Sequence, residues 1–262
     1  MTDSGAADRF DAIYRARLAA GRPDWHDNAA TVGEVLGYLD ELLGAADPPG
    51  RQPPALDVLE LGCGTGTLSF PLAERGYRVL GLDISAVAVA QATARSDRPD
   101  PRTRARFQVH DLTRPLARLD RRFDLVIDSL VLHYLTRPAD RSGMLRLAAR
   151  ALRPGGALLV MTMCRNPRQL PAGAWFDVRT RCLISGGQAE CHYPTSRGLT
   201  AELRRSGWHT EYRRIVSGDT ETGDQDMFLA VLKTIPADRS AAGTSRLANS
   251  GARARLIARP AG

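Results

Sequence analysis

Residues 57–70 read DVLELGCGTGTLSF, and this short stretch decides the fold. An apolar run, Val58–Leu61, leads directly into three glycines, Gly62, Gly64 and Gly66. A buried strand that ends in glycines, followed by the start of a helix, can anchor a polar ligand at the carboxyl edge of a parallel sheet. The stretch therefore predicts an α/β protein that binds a nucleotide-like cofactor.

The spacing of the glycines narrows the choice of cofactor. The dinucleotide fingerprint G-x-G-x-x-G would need a third glycine at 67 or at 69, where the chain has Thr67 and Ser69. A phosphate-binding P-loop is also excluded, because no Gly-Lys-Ser/Thr triplet follows. A dehydrogenase is consequently the weakest alternative.

Acidic residues close the next predicted strands. Asp83 ends the second strand, where a carboxylate can accept both hydroxyls of a ribose. Asp111 ends the third, and its carboxylate suits the exocyclic amine of an adenine whose ring contacts Leu112. Glu60, just ahead of the glycines, is placed to orient the loop or to meet a cationic group. These positions indicate an adenosine-bearing cofactor.

Strands and helices are predicted to alternate along most of the chain. Short apolar runs of this kind belong to a parallel sheet that is buried on both faces. Predicted strands cover 56–61, 77–83, 107–110, 124–129 and 157–162, followed by an antiparallel pair at 210–216 and 226–234. Predicted helices cover 9–21, 29–45, 66–76, 85–95 with Ser85 as N-cap, 140–152 and 196–206, and a hairpin is expected at 182–193 around Gly186-Gly187.

Five sequence elements occur in order over roughly residues 55–165: ELGCGTG, GLD, HDL, FDLVIDSLVLHYL and LRPGGALLV. In this order and spacing the chain resembles the class I S-adenosylmethionine-dependent methyltransferases. The resemblance implies a Rossmann-like, three-layer α/β/α fold, whose seven-stranded sheet has helices on both faces and an antiparallel last strand. It also implies S-adenosyl-L-methionine as the cofactor and methyl transfer by in-line displacement as the reaction.

The same resemblance implies a cofactor site. The glycines are expected under the methionine part, Asp83 at the ribose, Ile84, Asp111 and Leu112 at the adenine, and Asp128 and Ser129 near the sulfur. Cys63 is expected to pack rather than react. The full set of expected cofactor residues is Tyr14, Trp25, Glu60, Gly62, Cys63, Gly64, Gly66, Asp83, Ile84, Ser85, Asp111, Leu112, Asp128 and Ser129.

Candidates for catalysis and for substrate contact follow the cofactor motifs. His133 is the favoured general base and Tyr134 the second candidate, although His133 can equally be a structural histidine that shapes the pocket. The expected substrate contacts are Trp175, Arg181, His192 and Tyr193, with Asp177 on the approach. No metal site is expected, since the CysHis dipeptide at 191–192 has no second ligand pair at zinc-like spacing.

Three segments are expected along the chain. Residues 1–54 form a helical cap or lid, in which Tyr14 and Trp25 either cover the cofactor or take part in ordinary packing; residues 1–8 are expected to be disordered. Residues 55–235 form the class I methyltransferase domain, with a small inserted hairpin at about 175–195. Residues 236–262, rich in Ala, Ser, Gly and Arg, form a disordered tail.

Composition bears on the substrate. The net charge of +7 comes almost entirely from arginine, which clusters at 95–106 without interleaved aromatics, and Lys233 is the only lysine. The fourth strand is not followed by the Asn/Asp-Pro-Pro-Tyr/Phe motif of nucleobase-amine methyltransferases. We therefore expect a small molecule or short peptide as substrate, no nucleic-acid partner, no membrane partner and a cytoplasmic location.

Two other interpretations stay open: an RNA or protein methyltransferase that uses the Arg-rich loop and tail, and a non-catalytic cofactor-binding protein of the same fold. The accepting atom (O, N, S or C) and the oligomeric state are not readable from the sequence.

Overall fold

The structure of the protein is a computed structural model. It describes residues 4–22, 29–44, 55–96, 105–218 and 226–235. Trp25, most of the Arg-rich stretch at 95–106 and the tail 236–262 lie outside the described residues, as does the junction between the expected cap and the methyltransferase domain.

A seven-stranded sheet forms the centre of the molecule and confirms the predicted fold class. Its strands are β1 (Asp57–Leu61), β2 (Arg78–Asp83), β3 (Ala105–Val109), β4 (Phe123–Ser129), β5 (Leu152–Met163), β9 (Trp208–Val216) and β10 (Met227–Thr234). They lie in the order β3-β2-β1-β4-β5-β10-β9. The strands from β1 to β5 pair in parallel, whereas β10 runs antiparallel to both β5 and β9.

Helices cover both faces of this sheet, because alternate strand residues point to opposite sides. The helices are α1 (Ser4–Ala19), α2 (Ala29–Gly44), α3 (Ser69–Glu74), α4 (Ala86–Ser96), α5 (Pro138–Ala151) and α6 (Ser196–Arg205). Leu59 and Leu61 of β1 belong to one core cluster, together with residues of α5 and α6, whereas Val58 belongs to a second cluster with residues of α2 and α3.

Two helix predictions need correction and one is confirmed. Residues 4–8, expected to be disordered, are helical and begin α1. Helix α3 is shorter than the predicted 66–76, because the positive φ of Gly66 (+86°) belongs to the glycine loop rather than to a helix. Ser85 does cap α4: its Oγ accepts a hydrogen bond from the amide of Ala88 at 3.1 Å.

The predicted hairpin is part of a separate three-stranded sheet. Its strands are β6 (Trp175–Asp177), β7 (Cys182–Ser185) and β8 (Gln188–His192), in the order β6-β7-β8. Gly186 and Gly187 make the turn with φ of +56° and +77°, which glycine adopts readily. Strand β6 was not predicted. Below, this sheet and its connections, residues 164–193, are called the insert.

The order of the main sheet determines where a ligand can bind. From β1 the chain continues outward to β2 and β3 on one side, and later to β4 and β5 on the other. This change of direction leaves a crevice beyond the carboxyl ends of β1 and β4. The glycine loop follows β1, so it lies at this crevice.

Candidate active site

A cavity of about 960 Å³ occupies the crevice. It is walled by the glycine loop, the ends of β2 and β4, the segment after β3, helix α1 and the tip of the insert. Ten of the residues expected at the cofactor line it: Tyr14, Glu60, Gly62, Cys63, Gly64, Asp83, Ile84, Asp111, Leu112 and Ser129. Of the others, Ser85 and Asp128 are fully buried behind the wall, Gly66 packs against Phe70 and Phe107, and Trp25 is outside the described residues.

The glycine loop is held tightly against its neighbours. The amides of Gly62 and Cys63 both donate to the carbonyl of Leu82, at 2.7 and 3.0 Å. Gly64 has a φ of +52°, and a Cβ atom there would lie 2.5 Å from the hydroxyl oxygen of Tyr14. The loop therefore needs glycine at 64 both for its backbone conformation and for the close approach of α1.

Asp83 joins the glycine loop to the end of β2. Its Oδ2 accepts from the amide of Gly64 and its Oδ1 from the amide of Ser85, each at 2.8 Å. Burial raises the pKa of Asp83, and the backbone hydrogen bonds oppose that rise. The carboxylate borders the cavity where further donors can reach it.

Glu60 is a buried acid in the cavity wall. The hydroxyl of Ser69 donates to its Oε2, and burial raises the pKa of Glu60 to about 8. A cationic group in the cavity would lower that pKa and stabilise the carboxylate. Glu60 is thus suited to receive a positively charged part of a ligand, as the sequence suggested. Burial likewise raises the pKa of the Cys63 thiol well above its usual value, consistent with a packing role.

The segment after β3 supplies another part of the wall. Asp111 Oδ1 accepts from the amide and the hydroxyl of Thr113, at 2.9 and 2.7 Å, and Arg114 lies 3.6 Å from Oδ2. Leu112 is nearly fully buried beside them. Thr113 and Arg114 also line the cavity; sequence reasoning missed both, although they directly follow the Asp111-Leu112 pair.

The turn after β4 presents Tyr134, rather than His133, to the cavity. Asp128 Oδ1 accepts from the amides of Val131 and Leu132, at 3.0 and 3.2 Å, and so caps the short 3-10 helix Leu132–Tyr134. Burial raises the pKa of Asp128 to about 7. His133 is buried under this turn, with its Nδ1 3.4 Å from Thr162 Oγ1 and its ring centroid 4.2 Å from that of Tyr134.

Helix α1 closes the cavity through contacts with three separate parts of the fold. Asp11 Oδ1 accepts from the hydroxyl of Ser85 at 2.6 Å and from the amide of Val87 at 3.2 Å, at the start of α4. Phe10 packs edge-to-face on Tyr134, with the centroids 5.7 Å apart, and Arg9 forms an ion pair with Glu190 of β8. Sequence reasoning missed Arg9, Phe10 and Asp11, because nothing in a local pattern marks contacts to such distant residues.

The expected substrate residues lie in the insert but do not line the cavity. Arg181 is occupied within the insert: it donates to the carbonyl of Tyr193 at 2.9 Å and to Asn166 Oδ1 at 2.7 Å. Burial, reinforced by Arg141 and Arg181, lowers the pKa of His192 to about 4, so this imidazole is neutral at pH 7.

The other predicted insert residues also have local surroundings. Tyr193 packs edge-to-face on Phe176, with a centroid distance of 6.2 Å. Asp177 accepts from Arg179 and Thr180 in a turn, and Trp175 is exposed. The insert reaches the cavity through its hairpin tip instead, where Gln188 and Ala189 line the wall.

The fold and this cavity define the class of protein. A sheet of this order, with one antiparallel strand and a glycine loop and acidic strand ends around the crevice, is that of a class I S-adenosylmethionine-dependent methyltransferase. Residues 58–156 match the family described as "Methyltransferase domain", and these residues carry a domain of the class I S-adenosylmethionine-dependent methyltransferase kind.

Two curated methyltransferases illustrate the relatives to which the chain is similar. The chain is 35% identical over 170 residues to a ubiquinone biosynthesis O-methyltransferase of Methylobacterium sp., covering 61% of this chain and 66% of that one. It is 29% identical over 158 residues to a 2-heptyl-1-hydroxyquinolin-4(1H)-one methyltransferase of Mycobacteroides abscessus, and the match covers 59% of this chain and 63% of that one. The matches span between half and two thirds of the curated relatives' length.

A solved structure supports the same fold. The 1,6-didemethyltoxoflavin-N1-methyltransferase of Burkholderia thailandensis, solved with 1,6-didemethyltoxoflavin and S-adenosylhomocysteine, is similar with a TM-score of 0.65 at 18% identity. The similarity covers 90% of this chain and 92% of that one. Among the described helices of the present chain, none combines the length and apolar character needed to cross a membrane.

Proposed function

We propose that the protein transfers the methyl group of S-adenosylmethionine to a hydroxyl of a small molecule. The observation that carries this proposal is a continuous cavity whose wall includes Asp83 and Asp111 as well as Tyr134 and α1. Its volume of about 960 Å³ is at the upper end of the range for small-molecule sites. The names of the curated relatives support a small acceptor and favour oxygen as the accepting atom.

The residues in the wall suit the parts of the cofactor. Asp83 has the position and the acceptor oxygens to hold the ribose hydroxyls, and Ile84 and Leu112 offer apolar surface for the adenine. Asp111 would accept the exocyclic amine. The glycine loop would pass along the methionine part, whose ammonium would lie near Glu60 and lower the raised pKa of that acid.

When bound, S-adenosylmethionine supplies a methyl group already activated by a sulfonium, so the protein mainly positions the acceptor and excludes water. Leu130 and Val131 give the cavity an apolar wall at the end of β4, and Tyr134 offers a hydroxyl there. We assign contact with the acceptor to Tyr134. His133, buried beneath it, would fix the ring of Tyr134 and tune its hydroxyl rather than meet the acceptor directly.

Helix α1 would act as the lid of this site. It covers the glycine loop through Tyr14, and it is fastened to α4 by Asp11 and to the insert by Arg9. Deleting residues 1–28 should therefore weaken cofactor binding. Unchanged cofactor affinity after the deletion would leave α1 with ordinary packing as its role.

The test separates binding from chemistry. Calorimetry with S-adenosylhomocysteine measures cofactor binding, and transfer of labelled methyl from S-adenosylmethionine is followed with catechols and 1-hydroxyquinolin-4(1H)-ones as acceptors. We expect binding in the wild type and at least tenfold weaker binding in Asp83→Ala, with methylated product from at least one acceptor class. Cofactor binding without transfer to any metabolite in a broad extract would favour a non-catalytic binding protein, and transfer only to RNA or protein would contradict the small acceptor.

A further inference from the structure

Exposed apolar side chains are concentrated in the insert. Among the residues that the structure describes, six large apolar side chains are exposed, and three of them lie within residues 170–178: Leu170, Trp175 and Val178. Trp175 is 55% exposed, which is unusual for so large an apolar side chain. Large apolar side chains that lie together on a protein surface commonly mark a site of ligand or partner contact, so the apolar neighbours of Trp175 determine whether it belongs to such a site.

The strand register places Trp175 at the end of an apolar row. Trp175 of β6 pairs with Ile184 of β7, and Ile184 pairs with Ala189 of β8. Directly paired residues of neighbouring strands have their side chains on the same face of a sheet. Since adjacent strands are about 4.8 Å apart, the row from Ala189 to Trp175 is about 10 Å long. We call these three residues the apolar row.

The apolar row begins at the cavity. Ala189, at the hairpin tip, lines the cavity wall, so the row continues the wall outward to Trp175. The opposite face of the insert is already occupied: Leu183 and Cys191 pack there against Tyr134 and Met163. The row therefore lies on the face of the insert turned away from this packing, and it reaches the cavity at Ala189.

The charge next to the row is compensated. Glu190, at the irregularity of β8, is paired with Arg9 of the lid, so this edge of the row bears no isolated carboxylate. Ile184 is half-buried and Ala189 is exposed, which leaves apolar area along the row for a ligand to cover. The apolar row is therefore better suited to bind an apolar group of a ligand than a charged one.

We propose that the apolar row binds an apolar arm of the methyl acceptor, an alkyl chain or extended aryl group that leaves the cavity past Ala189 and ends on the indole of Trp175. This inference rests on the proposed function and specifies its substrate class: a small acceptor whose reactive polar head lies in the cavity and whose apolar arm extends about 10 Å beyond it. Trp175 thereby acts as a specificity residue, distant from the reacting atoms.

The test uses acceptors that differ only in arm length. The probes are 1-hydroxyquinolin-4(1H)-ones with 2-alkyl chains from methyl to nonyl, and 4-alkylcatechols of the same lengths. Their dissociation constants are measured with protein saturated with S-adenosylhomocysteine. Each methylene buried on the row should tighten binding by up to about fourfold. Trp175→Ala should leave the methyl-bearing probes unchanged and should abolish the gain for the long chains.

Val178→Ala is the matched control, since Val178 is an exposed apolar residue of the insert outside the apolar row. It should retain the full dependence on chain length. The proposal is overturned if neither series binds, if wild-type affinity does not rise with chain length, or if Trp175→Ala keeps the rise. It is also overturned if the only effect of Trp175→Ala is weaker self-association in size-exclusion chromatography, because the apolar row would then bind a second copy of the chain.

Failure of the arm site is distinguishable from failure of the proposed function. Binding that depends on the length of the alkyl chain, without methyl transfer, would support the apolar row as a binding site and contradict the methyltransferase activity. Methyl transfer that does not depend on the length of the alkyl chain would support the activity and contradict the role of the apolar row.

Discussion

Substituting Gly64 by alanine tests how closely the lid and the glycine loop are fitted together. Gly64 has a φ of +52°, and an added Cβ would lie 2.5 Å from the hydroxyl oxygen of Tyr14 and 3.4 Å from its Cζ. The substitution therefore lowers the free energy of unfolding in two separate ways. One comes from the left-handed backbone conformation and the other from the clash with α1.

The two penalties can be separated by magnitude. Alanine in the left-handed region costs roughly 1–2 kcal/mol. Overpacking of a buried site adds about 1–3 kcal/mol, so Gly64→Ala should lose about 2–5 kcal/mol of unfolding free energy. Gly76→Ala is the matched control: its φ is +90°, but no neighbouring atom lies within 4 Å of the added Cβ. It should lose only about 1–2 kcal/mol.

A second substitution relieves the clash alone. Tyr14→Phe removes the hydroxyl oxygen and leaves the nearest ring atom at 3.4 Å, an ordinary contact. Urea unfolding of the wild type, both single variants and Gly64→Ala/Tyr14→Phe then gives the coupling energy. We expect the double variant to recover about 1–3 kcal/mol relative to additivity. Additive effects, or equal losses in Gly64→Ala and Gly76→Ala, would refute the close contact between lid and loop.

Three further predictions concern the lid, the buried acid and the turn after β4. Asp11→Ala removes the contacts to the start of α4 and should weaken S-adenosylhomocysteine binding by about tenfold, a loss of roughly 1.4 kcal/mol; Asp8→Ala, exposed on the same helix, should change nothing by calorimetry, and equal effects would contradict the lid. Burial raises the pKa of Glu60 in the folded state to about 8, so between about pH 4.5 and 8 the folded state binds more protons than the unfolded state. The free energy of unfolding should therefore fall as the pH rises through this range, by up to about 1.4 kcal/mol per pH unit. Glu60→Gln should flatten this fall in urea titrations at several pH values, whereas parallel profiles would show that Glu60 is not its source. Tyr134→Phe should lower turnover of a phenolic acceptor with little change in cofactor affinity, and His133→Ala should also shift the pH profile of kcat; full activity in both variants would remove the pair from the mechanism.

Much of the fold, and the presence of most candidate cofactor residues in the wall of one cavity, could be predicted from the sequence, because the signals are local. Short apolar runs separated by helical patterns are sufficient to predict a parallel α/β sheet. Gly64 has a positive φ that favours glycine, and Asp83 ends β2 while Asp111 follows β3, two strands whose carboxyl ends share one edge of the sheet. Chain direction thus brings these residues together without knowledge of side-chain packing.

The part of the cavity between Tyr134, α1 and the insert depends on contacts between distant segments, which no local pattern encodes. Arg9 pairs with Glu190, and Asp11 with Ser85, only because α1 is docked over the crevice. Whether His133 or Tyr134 faces the cavity depends on the turn that Asp128 caps, since one residue of rotation exchanges the inner and outer positions. Strand β6 is only three residues long, and it exists because β7 is there to pair with it. The local sequence determined which residues the strand ends bring to the crevice beside the glycine loop, whereas the packing of α1 and the insert against the sheet decided which side chains complete the wall of the cavity.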